Sequence, residues 1–85
     1  MLNVIKESMR ISHDQLNADI QRNIDACLLD LQRVGVDTSK QDGLIVRACE
    51  LFVKSEYDYG GKGEQFKKRY EELRDSLSMD GDHNV

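Results

Sequence analysis

Residues 11–35 read ISHDQLNADIQRNIDACLLDLQRVG, and this stretch decides the fold because it marks a helix's start, buried face and end. Ser12-His13-Asp14-Gln15 has the form of a capping box, in which the Ser12 hydroxyl accepts from the Gln15 amide and the Gln15 side chain reaches back. Ile11 before that cap and Leu16 within the first turns are placed to form the accompanying hydrophobic staple. Leu16, Ile20, Ile24, Cys27, Leu28, Leu31 and Val34 then recur at steps of three and four, which is helical spacing. Gly35 follows, the residue that best tolerates the left-handed conformation closing a helix. The spacing predicts an amphipathic helix over 13–34.

Working outward, Leu2, Ile5 and Met9 give one helical stripe, so residues 2–10 read as a short first helix. After Gly35 comes a polar connection, Val36 to Lys40, in which Ser39-x-x-Asp42 forms a second capping-box pattern, with Thr38 as the alternative cap. The third helix is expected over 41–57. With Leu44 as the origin and about 100° per residue, Leu44, Ile45, Ala48, Leu51 and Phe52 make one apolar arc. Val46, Cys49, Val53 and Tyr57 carry it far around the cylinder. Arg47, Glu50, Lys54 and Asp58 make its clean polar strip, and a helix this apolar is surrounded on more than one side. Glycines at 60, 61 and 63 cannot propagate that helix cheaply. A fourth helix is expected over 64–78 with Phe66, Tyr70, Leu73 and Leu77 on one face. Residues 80–85, DGDHNV, have nothing to bury and read as a disordered acidic tail. The expected architecture is therefore all-α: a small helical bundle of one short N-terminal helix plus three longer ones, a single domain over 1–79 with a tail at 80–85.

Composition narrows the function. A chain of 85 residues makes one domain and buries roughly 60–65% of its unfolded surface, the marginal end for a lone core, so association is a natural source of added stability. A net charge of −4 and a pI near 5.0 run against a protein that grips nucleic acid, which draws on clustered Lys and Arg. Lys67-Lys68-Arg69 is the one basic run, and on a helix its charges splay around the cylinder, with Lys67–Glu71 and Lys68–Glu72 at i,i+4 pairing distance. Cys27 and Cys49 lie on apolar helical faces without metal-ligand spacing and read as reduced core thiols. No apolar run reaches membrane-spanning length and the N-terminus has no signal-peptide pattern, so a soluble, cytosolically made protein without membrane contact is expected.

Residues that might carry chemistry are sparse. His13 and His83 have no ligand partners at suitable spacing, Asp80-x-Asp82 stops short of a calcium loop, and Gly60-Gly61-x-Gly63 lacks both the strand and the Lys-Ser/Thr of a phosphate loop. No serine has an identifiable base and no carboxylate pair is fixed in a cleft. A non-enzymatic protein with no metal and no cofactor is expected. The oddities are apolar. Leu29 sits on the back of the second helix, and Val46, Val53 and Tyr57 form a second stripe on the third. Either these residues are core tucked between neighbours, or they meet another subunit or partner.

Several stretches together resemble the small phage head–tail connector family, also labelled phage DNA-packaging proteins. Ile5-Lys6 through Met9-Arg10-Ile11-Ser12-His13-Asp14 comes first, then Asp19-Ile20 through Ile24-Asp25-Ala26-Cys27, Asp30-Leu31 and Val34-Gly35-Val36. Leu44-Ile45-x-Arg47-Ala48 leads through Leu51 and Lys54 to Tyr59-Gly60, and Phe66, Tyr70, Leu73 and Leu77 close the match, which spans residues 2–79. The resemblance implies a structural subunit that assembles with itself as a ring beneath the portal protein of a tailed phage, at the head–tail junction of the virion. Such a ring extends the DNA channel and docks a tail-side connector protein, while DNA passes through without sequence-specific binding. A mildly acidic ring suits that passage because it repels the phosphate backbone. Two other classes stay open: a stand-alone cytosolic helical adaptor, and a helix-turn-helix DNA-binding module using the third helix. The Gly35–Lys40 connection is long for the latter motif and the proposed recognition helix is very apolar.

Overall fold

The computed structural model describes residues 1–84. Four helices follow one another: α1 (Leu2–Ser8), α2 (Asn17–Arg33), α3 (Gly43–Glu56) and α4 (Gly63–Met79), with a single 3₁₀ turn at Tyr59–Gly61. The chain is all-α, one short helix and three longer ones, as its periodicity predicts. Its one extended pairing among the described residues is an isolated bridge between Val36 and Asn84.

The two left-handed helix ends before α3 follow from local chemistry. Gly35 closes α2 at φ 87°, its N–H donating to the Gln32 carbonyl at 3.0 Å while the Val36 N–H reaches the Leu31 carbonyl at 2.9 Å. That is the Schellman arrangement, completed by apolar contact between its ends; Val36 and Leu31 are both buried. The end of α1 has the same hydrogen bonds, Arg10 to Glu7 at 3.0 Å and Ile11 to Lys6 at 2.9 Å. There the left-handed position is held by Arg10 at φ 58°, a side chain that gains no help from glycine's freedom.

The start of α2 differs from expectation. The helix begins at Asn17, no side chain caps it, and Ser12 stands exposed in the connection. Asp14 organises this corner instead. The Lys6 ammonium, on a buried side chain of α1, donates to Asp14 Oδ1 at 2.9 Å, and Asn17 donates to the same oxygen at 3.3 Å. This contact holds the Asp14 carboxyl below its ordinary range. A box at Ser12 would wind Asp14 into the first turn, and a buried ammonium without its carboxylate is the costlier loss. The expected box at Ser39 also gives way: Asp42 is itself the cap of α3, accepting from the Leu44 and Ile45 amides at 3.0 and 3.1 Å. Ser39 N–H instead closes a turn on Asp37 Oδ1 at 2.9 Å.

Helix α3 is the centre of the molecule, packed against α1, α2 and α4. Its Ile45, Ala48, Cys49, Leu51 and Val53 join Ile20, Ile24, Cys27 and Leu31 of α2, Ile5 and Met9 of α1, and Tyr70 and Leu77 of α4 in one core. Phe66 and Leu73 complete the expected α4 face as half-buried flanks. Between α3 and α4, Asp58 adopts φ 48° and its Oδ1 accepts the Gly63 N–H at 2.8 Å. A β-carbon on Gly63 would stand 2.7 Å from that oxygen and 3.1 Å from the Ser55 carbonyl, so glycine here serves close approach.

Residues 80–84 do not show the disordered tail expected over 80–85. They turn back onto the start of α3, with the Asp37 N–H donating to the His83 carbonyl at 2.6 Å. The His83 ring sits between Asp80 (Nδ1 to Oδ2, 2.6 Å) and Asp42 (Nε2 to Oδ2, 2.7 Å). The segment buries little, but polar partners hold it, which a reading based on apolar burial overlooks. Val85 lies outside the described residues.

Candidate functional site

The four candidate interface residues separate cleanly. Val53 has no exposed surface at all; it belongs to the core between the helices and cannot meet a partner, so that assignment is corrected. Tyr57 is half-buried, packed against the core, and its hydroxyl donates to the Asp19 carboxylate. Burial and that carboxylate push the phenol up to about 12, so Tyr57 ties the end of α3 to α2. Val46 is half-buried. Leu29 alone stands out, 65% exposed on the outer face of α2. Sequence reasoning missed Leu44 and Met79 as exposed apolar side chains at the start of α3 and the end of α4, because both fall in or near helical stripes.

The concave feature of the molecule lies elsewhere, in a cleft of about 650 Å³ between α2 and α4 with α3 as its floor. Ala26 and Asp30 of α2 form one wall, and Lys67, Glu71 and Arg74 of α4 the other. Phe52 is the aromatic floor, edge-on to Tyr70 with ring centroids 5.2 Å apart. These residues converge because α4 turns Tyr70 inward toward α2, where its hydroxyl donates to Asp30 Oδ2 at 2.6 Å.

Asp30 is the electrostatic hub. It also accepts from Arg33 at 2.7 Å and Arg74 at 3.2 Å. Burial raises its affinity for a proton, yet the Tyr70 hydroxyl and the two guanidinium groups outweigh that and keep the carboxyl below its ordinary range. Tyr70 is pushed far up, first by burial and then by Asp30, so it stays a hydrogen-bond donor. Beneath it the Cys27 thiol is driven up by Cys49 and by burial. Both cysteines are free and fully buried, as their positions on apolar faces imply.

With Asp30 committed to three donors and the Ser55 hydroxyl donating to the Phe52 carbonyl at 2.7 Å, the groove offers charge and an aromatic surface as its chemistry. Along α4, the expected pairs Lys67–Glu71 and Lys68–Glu72 do not close among the described ion pairs. The basic triplet is splayed as read from sequence: Lys67 lines this groove, while Lys68 and Arg69 line a shallow depression on another face of α4. No group of three or more side chains that could hold a metal comes together among the described residues. No helix there is long and apolar enough to cross a membrane. No family model, curated protein or solved structure matches the chain, so its function has to be read from these residues.

Proposed function

We propose that the chain is a structural subunit of a phage or prophage head–tail connector, which assembles as a ring below the portal, extends the DNA channel and docks the tail. The observation that carries this reading is where the connector-like stretches fall in the fold. Ile5 to Asp14 covers α1 and the Lys6–Asp14 corner. Val34-Gly35-Val36 makes the closing turn of α2, and Tyr59-Gly60 lies in the turn before α4. Phe66, Tyr70, Leu73 and Leu77 supply the packed face of α4. The resemblance thus follows residues that set the connections and packing of the fold. The net charge of −4 supports a channel wall that phosphate slides past.

The groove between α2 and α4 favours a second reading, a stand-alone helical adaptor that binds one partner. A helix-turn-helix role is disfavoured by α3, whose Ile45, Ala48, Cys49, Leu51 and Val53 are all buried and leave little of the helix to enter a major groove. The connector reading is tested by mixing the purified chain with the portal ring encoded in the same genome and sedimenting the mixture. Co-sedimentation with the portal is expected. A chain that remains at its own sedimentation position at every mixing ratio overturns the reading.

A further inference from the structure

Helices α2 and α4 both pack along α3, yet they are joined to each other mainly through Asp30, which takes the Tyr70 hydroxyl and Arg74. Beyond that link the walls carry small residues, Ala26, Ser55 and Gly63, and the space between the helices stays open. Three helices arranged this way leave the position that a further helix fills in a four-helix bundle. The half-buried ring of Phe52 forms its floor.

The charge of the lining is one-sided. Five carboxylates face two cations. Asp30 and Arg74 satisfy one another, and Asp58 is taken by the Gly63 amide. Glu56, Glu64 and Glu71 remain exposed and make no ion pair among the described residues. Only Lys67 opposes them.

We propose that this groove docks a basic amphipathic helix of another protein, with the apolar stripe of that helix on Phe52 and its Lys and Arg side chains toward Glu56, Glu64 and Glu71. Both walls are helices, so an extended strand finds no sheet edge to pair with, whereas a helix uses side-chain contacts alone. Phosphate backbones are repelled by the same carboxylates. A second copy of this chain offers its most exposed helical leucine, Leu29 between Arg22 and Arg33, as a candidate face. Those arginines, however, already pair with Asp19 at 3.3 Å and Asp30 at 2.7 Å, so docking them costs existing contacts. The proposal stands or falls separately from the connector reading, because it concerns this groove whatever assembly surrounds it.

The test uses the intact chain and a fluorescein-labelled amphipathic helical peptide built of Leu and Lys, with a Leu/Glu peptide of equal length as control. The Leu/Lys peptide should bind, more weakly as salt rises, and should shift the amide resonances of Phe52 and Ser55. Replacing Glu64→Lys and Glu71→Lys together should weaken binding about tenfold or more, whereas Glu72→Lys, outside the groove, should change it less than about threefold. Circular dichroism verifies that the variants keep their helices; if the double variant does not, Glu71→Gln alone should still weaken binding measurably. No binding of the Leu/Lys peptide, equal binding of the Leu/Glu peptide, equal loss in Glu72→Lys, or resonance shifts confined to another face each overturn the proposal. So does a concentration-dependent dimer that Glu64→Lys with Glu71→Lys dissociates and the peptide leaves intact.

Discussion

Val53 and Leu29 are both apolar residues on the far side of their helices from the obvious stripe, and the structure gives them opposite fates. Val53 is sealed in the core, while Leu29 is 65% exposed. The reason lies in where the wheel of α3 is centred. Leu44 is an attractive origin, but it sits in the first turn and is 46% exposed. The buried face is centred near Ile45 and Phe52, turned by about one residue's rotation of 100°, which brings Val53 inside the buried arc. Putting a charge there places an unpaired carboxylate among apolar neighbours. Val53→Asp should therefore cost about 3 kcal/mol or more. Leu29→Asp should stay within about 0.5 kcal/mol of the parent. Urea denaturation of the two variants decides this; similar losses for both would mean the burial pattern is misassigned.

Among the elements, some boundaries were legible in sequence because they depend only on neighbouring residues. Gly35 ends α2 through a left-handed turn that glycine favours, and the glycines at 60–63 separate α3 from α4. The start of α2 was not legible, because Ser12 loses its capping role to a contact between Asp14 and Lys6 eight residues earlier. The contacts of the tail are hidden from sequence for a related reason: Asp42, an α3 cap, also holds His83 from 41 residues away. That clamp has a pH dependence. Asp80 first, then Asp42, raises the His83 pKa above its ordinary 6.5, so the stabilisation is complete below that value and fades as pH rises through the shifted one. Asp42 and Asp80 are lowered from their ordinary 3.8, so their share is present above that value and fades as pH falls through theirs. The tail should therefore be held most firmly between these two ordinary values. Hydrogen exchange of the Asp37 amide, corrected for its intrinsic rate, should show protection at mildly acidic pH that declines in alkaline buffer, and His83→Ala should remove the dependence. Protection that is unchanged in His83→Ala, or that rises with pH, would contradict the clamp.

At the scale of the whole molecule, the sequence reveals an all-α chain of mild negative charge, and the fold adds what no helical wheel contains. The groove exists because α2 and α4 flank α3 and, beyond the link that Tyr70 and Arg74 make to Asp30, do not close on each other. No spacing along one helix encodes that juxtaposition, which is why the sequence offers Phe52 only as part of an apolar arc and Glu71 only as a partner for Lys67, and does not single out Glu64. The proposed place at a head–tail junction makes its strongest demand on particles. The direct measurement is electron microscopy of particles produced after deletion of this gene from a phage or prophage that carries it. If the proposal holds, the heads package DNA but fail to acquire tails, and tails return when the chain is supplied in trans. Normal tailed particles in the deletion strain would contradict it.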